Sequence, residues 1–138
     1  EDVCIPFGRA RIVAEGADIT VVTNSMMTIK AEKAVRQLQK EGISAELIDL
    51  RTIVPLDTET IIRSVKKTGK LLIVDEGHLS FGITGEIASR IMPDVFYDLD
   101  APIQRMGTAD VPLPFSPALE FPLIPDEKKI AAKIREMV

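Results

Sequence analysis

The chain has 138 residues, 46% of them hydrophobic, and a formal net charge of −4. This length fits one domain, and the composition is that of a globular protein rather than a disordered one. No basic run or stripe points to a nucleic-acid partner. No apolar stretch approaches the ~18 residues of a membrane-spanning helix. The single cysteine, Cys4, excludes an internal disulfide and fits a reducing compartment.

The first half of the chain alternates between predicted strands and predicted helices. Residues 19–23 (ITVVT) are β-branched and apolar, which predicts a buried strand. Over residues 26–41 the apolar side chains recur at helical spacing, and Gly42 is the predicted stop. Residues 45–50 (AELIDL) predict a second strand. Together these segments form the first strand–helix–strand unit.

The same alternation continues through the middle of the chain. Asp57 is the predicted N-cap of a second helix, which Gly69 ends. Residues 71–75 are predicted to form a third strand, which is buried and parallel because its first four residues are a continuous apolar run. A third helix is predicted over residues 82–92, with Pro93 as its end.

The last third of the chain is less regular. Residues 95–97 and 102–106 are short strand candidates. Residues 110–125 are proline-rich and predict an ordered irregular arm without a helix. Its phenylalanines need a surface to cover, either on their own domain or on another subunit. Asp126 is the predicted cap of a final helix, whose apolar stripe begins at Ile130.

Strands that alternate with helices predict an α/β fold with a parallel sheet between two helical layers. The sequence therefore indicates a three-layer αβα, Rossmann-like domain.

Ligands of such sheets bind at the carboxyl ends of the strands. Three predicted ends carry polar residues, at 24–25, 51–52 and 75–78, but none carries a glycine-rich phosphate loop. One histidine and one distant cysteine do not suggest a metal site. His78 has three interpretations: a catalytic base, a group at a loop or subunit contact, or a group that orders an active site on another chain. We therefore assign no catalytic, cofactor-binding or metal-binding residue.

Five phrases resemble the C-terminal domain of the transketolase superfamily, above all that of E1 β subunits of thiamine-diphosphate-dependent 2-oxo acid dehydrogenases. They cover nearly the whole chain: IPFGRARIVAEGADITVVTNSMM, GISAELIDLRTIVPLDTETIIRSVKKTGKLLIVDEGH, FGITGEIASRI, LDAPIQRMGTADVPLPFSPALE and IPDEKKI. The resemblance implies a mostly parallel five-stranded sheet with one antiparallel strand.

The resemblance also implies a larger parent protein. The chain opens without an initiator methionine, and we expect a preceding pyrimidine-binding domain, with residues 1–18 as the segment that leads in from it. In such enzymes thiamine diphosphate and Mg belong to other parts of the protein, so the isolated segment is expected to be inactive. The implied compartment is the cytoplasm, or the mitochondrial matrix in a eukaryote.

Three partners are implied: the E1 α subunit, a second E1 β subunit and the peripheral subunit-binding domain of the E2 acyltransferase. Docking of E2 is electrostatic in this family, and Asp100 of LDAP matches the acidic position. The C-terminal end, at Met137 and Val138, is the second candidate. Arg105 either orients Asp100 or packs and pairs locally.

The implied function is thus assembly and E2 docking within an enzyme that decarboxylates a 2-oxo acid oxidatively and passes the acyl group to lipoyl groups on E2. Pyruvate is the expected substrate, with branched-chain 2-oxo acids and acetoin as alternatives. Two other hypotheses stay open. One is a stand-alone nucleotide-binding or small-molecule-binding module, and the other is the C-terminal half of another transketolase-type enzyme.

Overall fold

A computed structural model describes residues 5–138, so Cys4 lies outside the described residues. The chain forms one five-stranded sheet in the order β1-β3-β2-β4-β5. β1 is antiparallel to β3, and the other three pairs of strands are parallel. The strands are β1 (Arg11–Ala14), β2 (Ile19–Thr23), β3 (Ala45–Asp49), β4 (Leu71–His78) and β5 (Gln104–Thr108). The helices are α1 (Ser25–Lys40), α2 (Thr58–Thr68), α3 (Ile83–Val95), α4 (Pro117–Glu120) and α5 (Glu127–Met137), with a 3₁₀ turn at Phe121–Leu123.

Helices cover both faces of the sheet, which confirms the predicted three-layer α/β fold. Alternate residues of β2 and β4 belong to two separate apolar clusters, because successive side chains of a strand point to opposite faces. α1 and α5 bury Met27, Leu38 and Ile130 in one cluster. α2 and α3 bury Ile61 and Ile87 in the other. The two faces are therefore occupied by the domain's own helices.

Three predictions about local structure were wrong. Pro93 lies inside α3 and does not end it, since burial of Val95 in the core stabilises a further turn. Residues 95–97 form no strand: the Phe96 and Tyr97 rings are exposed and lie edge to face, with centroids 5.1 Å apart. The arm contains the short helix α4, because its proline stands at the first helical turn, where a missing N–H breaks no helical bond.

The helix caps follow the sequence. The Asp126 carboxylate accepts a hydrogen bond from the Lys129 amide at 2.8 Å. The Asp57 carboxylate accepts from the Thr60 amide at 3.1 Å and also from the Ala10 amide at 2.9 Å, which ties the segment before β1 to α2. Gly69 ends α2 in the left-handed conformation, with φ of 70°.

Several polar side chains inside the domain are paired with one another. The Thr20 hydroxyl on β2 lies 2.7 Å from the hydroxyls of both Ser64 and Thr68 on α2. The nearly fully buried carboxylate of Glu46 forms an ion pair with Lys67. Burial raises the pKa of Glu46, but hydrogen bonds from Lys67 and Ser64 outweigh it and the net pKa is lowered. Buried polar groups without such partners would destabilise the fold.

Burial likewise raises the pKa of Asp57, but the hydrogen bonds from Ala10 and Thr60 outweigh it and lower the pKa overall. We expect Asp57→Asn to lower the free energy of unfolding at pH 7 by about 1–2 kcal/mol, because an amide nitrogen would face the Ala10 N–H. The Asp57 carboxylate stabilises the fold fully above its unfolded pKa of about 3.9, and this contribution is lost as pH falls through the lower folded pKa. Urea titrations between pH 7 and 2.5 measure both effects.

Asp126→Asn is the matched control. Asparagine caps helices as well as aspartate does, and the Asp126 side chain bonds only the Lys129 amide among the described residues. We expect a change of no more than about 0.5 kcal/mol. Equal losses in the two variants would show that the Ala10 contact contributes nothing.

Candidate partner-binding surfaces

The carboxyl edge of the sheet carries a small polar cluster that joins the loop after β4 to the start of the arm. Nδ1 of His78 lies 2.9 Å from the Ala109 carbonyl oxygen. The Ser80 hydroxyl bonds the Asp110 carboxylate, and the Ser80 amide donates to the same carboxylate at 3.3 Å. The bond from the Ser80 hydroxyl lowers the pKa of Asp110. Because Ser80 bonds the carboxylate and not His78, these side chains do not form a serine–histidine pair.

The two acids before His78 point in different directions, as expected for neighbours on a strand. Asp75 is buried and accepts a hydrogen bond from the Gly77 amide at 3.0 Å, whereas Glu76 is exposed. They therefore do not share a pocket in which one could act as an acid and the other as a base.

Exposed apolar side chains surround this cluster. The sequence patterns of the individual strands did not indicate them. Each of the four parallel strands is followed by exposed apolar residues. We call the set the apolar edge: Met26 and Ile29 after β2, Ile53 and Val54 after β3, Phe81 after β4, and Val111, Leu113 and Phe115 after β5. Phe81 and Phe115 are fully exposed. Exposed apolar surface on this scale is typical of a protein interface.

The chain also begins at this edge. Because β1 is antiparallel to β3, its first residue, Arg11, pairs with Asp49 at the carboxyl end of β3. The Gly8 amide donates to the Thr52 hydroxyl at 3.1 Å, and the neighbouring Phe7 ring is exposed. The leading segment therefore lies beside the apolar edge.

Asp100 lies at the opposite, amino edge of the sheet. Its amide donates to the Gly69 carbonyl at 2.8 Å, and its carboxylate rests against the Cα of Gly69, where any larger residue would collide with it. The carboxylate has no hydrogen-bond donor or ion-pair partner among residues 5–138. The Asp100 carboxylate is therefore exposed and without a partner among the described residues.

Asp100 and Arg105 line one groove of about 610 Å³ between the end of α3 and the strand β5. The Arg105 guanidinium donates to the Leu79 carbonyl at 3.2 Å and to the Thr84 hydroxyl at 3.4 Å. These contacts hold it at the start of α3. Within the described part of the chain, no ion pair joins Arg105 to Asp100.

The C-terminal end lies near the same turn as Asp100. The Lys70 ammonium, next to Gly69, donates to the Val138 carbonyl at 3.4 Å. Met137 is half-buried and packs against the core, and the Val138 side chain is about half exposed. Asp100 thus contacts the backbone of Gly69, and Val138 contacts the end of the Lys70 side chain.

The family model described as "Transketolase, C-terminal domain" matches residues 8–130. The chain belongs to this family. It is 47% identical over 133 residues to the pyruvate dehydrogenase E1 component subunit beta of Rickettsia felis, covering 96% of this chain and 41% of that one. It is 41% identical to the 2-oxoisovalerate dehydrogenase subunit beta of Bacillus subtilis, covering 99% of this chain and 42% of that one. The chain therefore spans about two fifths of the length of these relatives.

A solved structure supports the same conclusion about the fold. A chain titled "Split gene transketolase, inactive beta4 tetramer" superposes with a TM-score of 0.79 at 26% identity, over 99% of this chain and 43% of that one. The five-stranded sheet described above is thus that of a transketolase C-terminal domain.

In this transketolase C-terminal domain, residues 5–138 contain no group of three His, Cys, Asp or Glu side chains placed to hold a metal ion. No chemical step is therefore assigned to these residues. None of the helices in the described range is both long and apolar enough to cross a bilayer.

Proposed function

We propose that this chain is the C-terminal domain of an E1 β subunit of a thiamine-diphosphate-dependent 2-oxo acid dehydrogenase, and that it serves subunit assembly and E2 docking. The E1 β relatives, with similarity over nearly all of the chain, support the parent enzyme. Pyruvate is the proposed substrate, because the pyruvate dehydrogenase relative is 47% identical and the 2-oxoisovalerate dehydrogenase relative 41%. A pyrimidine-binding domain precedes it and carries the cofactor-binding groups.

The observation that carries the assembly role is the apolar edge. Eight apolar side chains follow the four parallel strands, and all are exposed. Burial of apolar surface stabilises an interface by about 25 cal/mol per Å² removed from water. The Ser80–Asp110 bond holds the arm beside the loop after β4, so Phe81 and Val111 belong to one continuous surface. This surface binds a neighbouring subunit of the E1 enzyme.

Asp100 carries the docking role. Its carboxylate is exposed and unpaired among the described residues, and backbone contacts with Gly69 hold it in place. A basic side chain of E2 gains an ion pair here without breaking one inside the domain. Exposed charge pairs of this kind speed association and are weakened by salt.

For assembly, we expect the double variant Phe81→Ser/Phe115→Ser to co-purify with about tenfold less α subunit than the wild type, because the two most exposed rings of the apolar edge are lost. Analytical ultracentrifugation of co-expressed α and β subunits measures this. Since neither ring is buried within the domain, the free energy of unfolding of the isolated chain should change by less than about 0.5 kcal/mol. If assembly is unaltered, the apolar edge does not form part of the subunit interface.

For docking, Asp100→Lys in the assembled E1 should weaken binding of the E2 peripheral subunit-binding domain, and more at 50 mM than at 500 mM salt, since screening shrinks the repulsion. Calorimetric titration at both salt concentrations measures it. Asp94→Lys is the control: the same charge change at an exposed position of α3 that does not line the groove. Equal effects of the two variants would show a general charge effect and not a contact.

We expect the isolated chain to release no CO₂ from pyruvate when supplied with thiamine diphosphate and Mg. The reason is that, in the arrangement proposed above, the cofactor-binding groups belong to the preceding pyrimidine-binding domain. A dye-reduction assay with the assembled E1 as the positive control tests this. Turnover by the purified chain above the rate without protein would contradict the proposal that the cofactor-binding groups lie in the preceding domain.

A further inference from the structure

We infer that Thr52 and Asp57 clamp the segment that leads in from the preceding domain, and that Asp57 is thereby a positioning residue for the reaction of the parent enzyme. This rests on the proposed function, in which the preceding domain carries the cofactor-binding groups, and deepens it. We call residues 8–10, together with Thr52, Pro55 and Asp57, the entry clamp.

Two hydrogen bonds hold the backbone of the leading segment against the loop between β3 and α2. The Asp57 carboxylate accepts from the Ala10 amide at 2.9 Å. The Thr52 hydroxyl accepts from the Gly8 amide at 3.1 Å and donates to the Pro55 carbonyl at 2.8 Å. Alternate residues of the segment are therefore fixed to one loop just before β1 begins.

The segment also lies in close contact with this loop. Gly8 has φ of 75°, in the left-handed region, and a Cβ there would lie 2.8 Å from Cγ of Pro55. Any other residue at this position would be strained and would collide with the proline ring. The glycine therefore allows the chain to turn directly against Pro55.

The acceptor side of the clamp is held firmly within the domain. Asp57 is only 6% exposed, and its carboxylate also accepts from the Thr60 amide at 3.1 Å and the Thr60 hydroxyl at 2.8 Å. Just after the Ala10 bond the chain enters β1, whose pairing with β3 starts at Arg11 and Asp49. The clamp therefore links α2 and the sheet to the direction in which the chain enters the domain.

This direction matters for the proposed enzyme because each residue of a connecting segment has two soft backbone dihedrals. Without the clamp, the preceding domain would swing relative to this one, which the apolar edge fixes to a neighbouring subunit. A misplacement of about 1 Å between catalytic groups is enough to lower a rate about a hundredfold. Asp57 touches no reacting atom and acts on the preceding domain through the Ala10 amide.

The test uses the full-length β subunit, assembled with the α subunit. Thr52→Val and Asp57→Asn each remove one acceptor of the clamp, and asparagine still caps α2. In either variant we expect trypsin to cleave after Arg9 about tenfold faster, because cleavage follows the population of the open segment. Calorimetric titration with thiamine diphosphate at saturating Mg should show about tenfold weaker binding, since the preceding domain is misplaced.

Two control variants separate positioning from a loss of stability. Thr52→Ser keeps the hydroxyl and should restore the wild-type result in both measurements. Ile134→Val lowers the stability of the domain from a buried position of α5, in the core cluster on the other face of the sheet, and should change neither. Thr52 is only half-buried, so Thr52→Val tests the clamp even where Asp57→Asn fails to fold.

The outcomes are distinct. If either the cleavage rate or the cofactor affinity stays at its wild-type value in the clamp variants, the inference is wrong and the proposed function survives. An equal effect of Ile134→Val would also overturn the inference, because loss of stability alone would then explain the result. If the wild-type assembled E1 releases no CO₂ from pyruvate, the proposed function itself is wrong.

Discussion

The central strands β2 and β4 carry buried apolar side chains on both of their faces, so helices must cover both sides of the sheet. The Rossmann-like arrangement meets this need with α1 and α5 on one side and α2 and α3 on the other. Once both faces are covered, the sheet stays open at the two ends of its strands and along the edge strands β1 and β5. The exposed apolar side chains lie at the carboxyl ends of the strands, and Asp100 lies at their amino ends.

α/β domains usually bind small ligands at the carboxyl edge of the sheet. In this domain the exposed side chains at that edge include many large apolar ones. Two of its polar groups pair locally: Ser80 bonds Asp110, and His78 bonds the Ala109 carbonyl, whereas the buried Oδ1 of Asn24 after β2 has no hydrogen-bond partner among the described residues. These bonds hold the arm beside the loop after β4, while the apolar side chains around them stay exposed. A surface whose exposed side chains are largely apolar is suited to a subunit and not to a phosphate.

The amino edge depends on one glycine. Only a residue without a Cβ can end α2 in the left-handed conformation and also let the Asp100 carboxylate rest against its Cα. Lys70, the next residue, contacts the Val138 carbonyl. Two adjacent residues therefore contact two segments that lie 38 residues apart in the sequence. The groove begins beside the same carboxylate.

The sequence by itself determined the three buried parallel strands, the caps at Asp57 and Asp126 and the stop at Gly69, because these depend on periodicity and on bonds between near neighbours. Its motifs also indicated the family. It did not determine that α3 runs past Pro93 or that Phe96 and Tyr97 lie outside any strand. Nor could it show the apolar edge or the contact between Lys70 and Val138. Only the tertiary structure decided these, since each depends on contacts between residues far apart in the chain, where burial outweighs local preference.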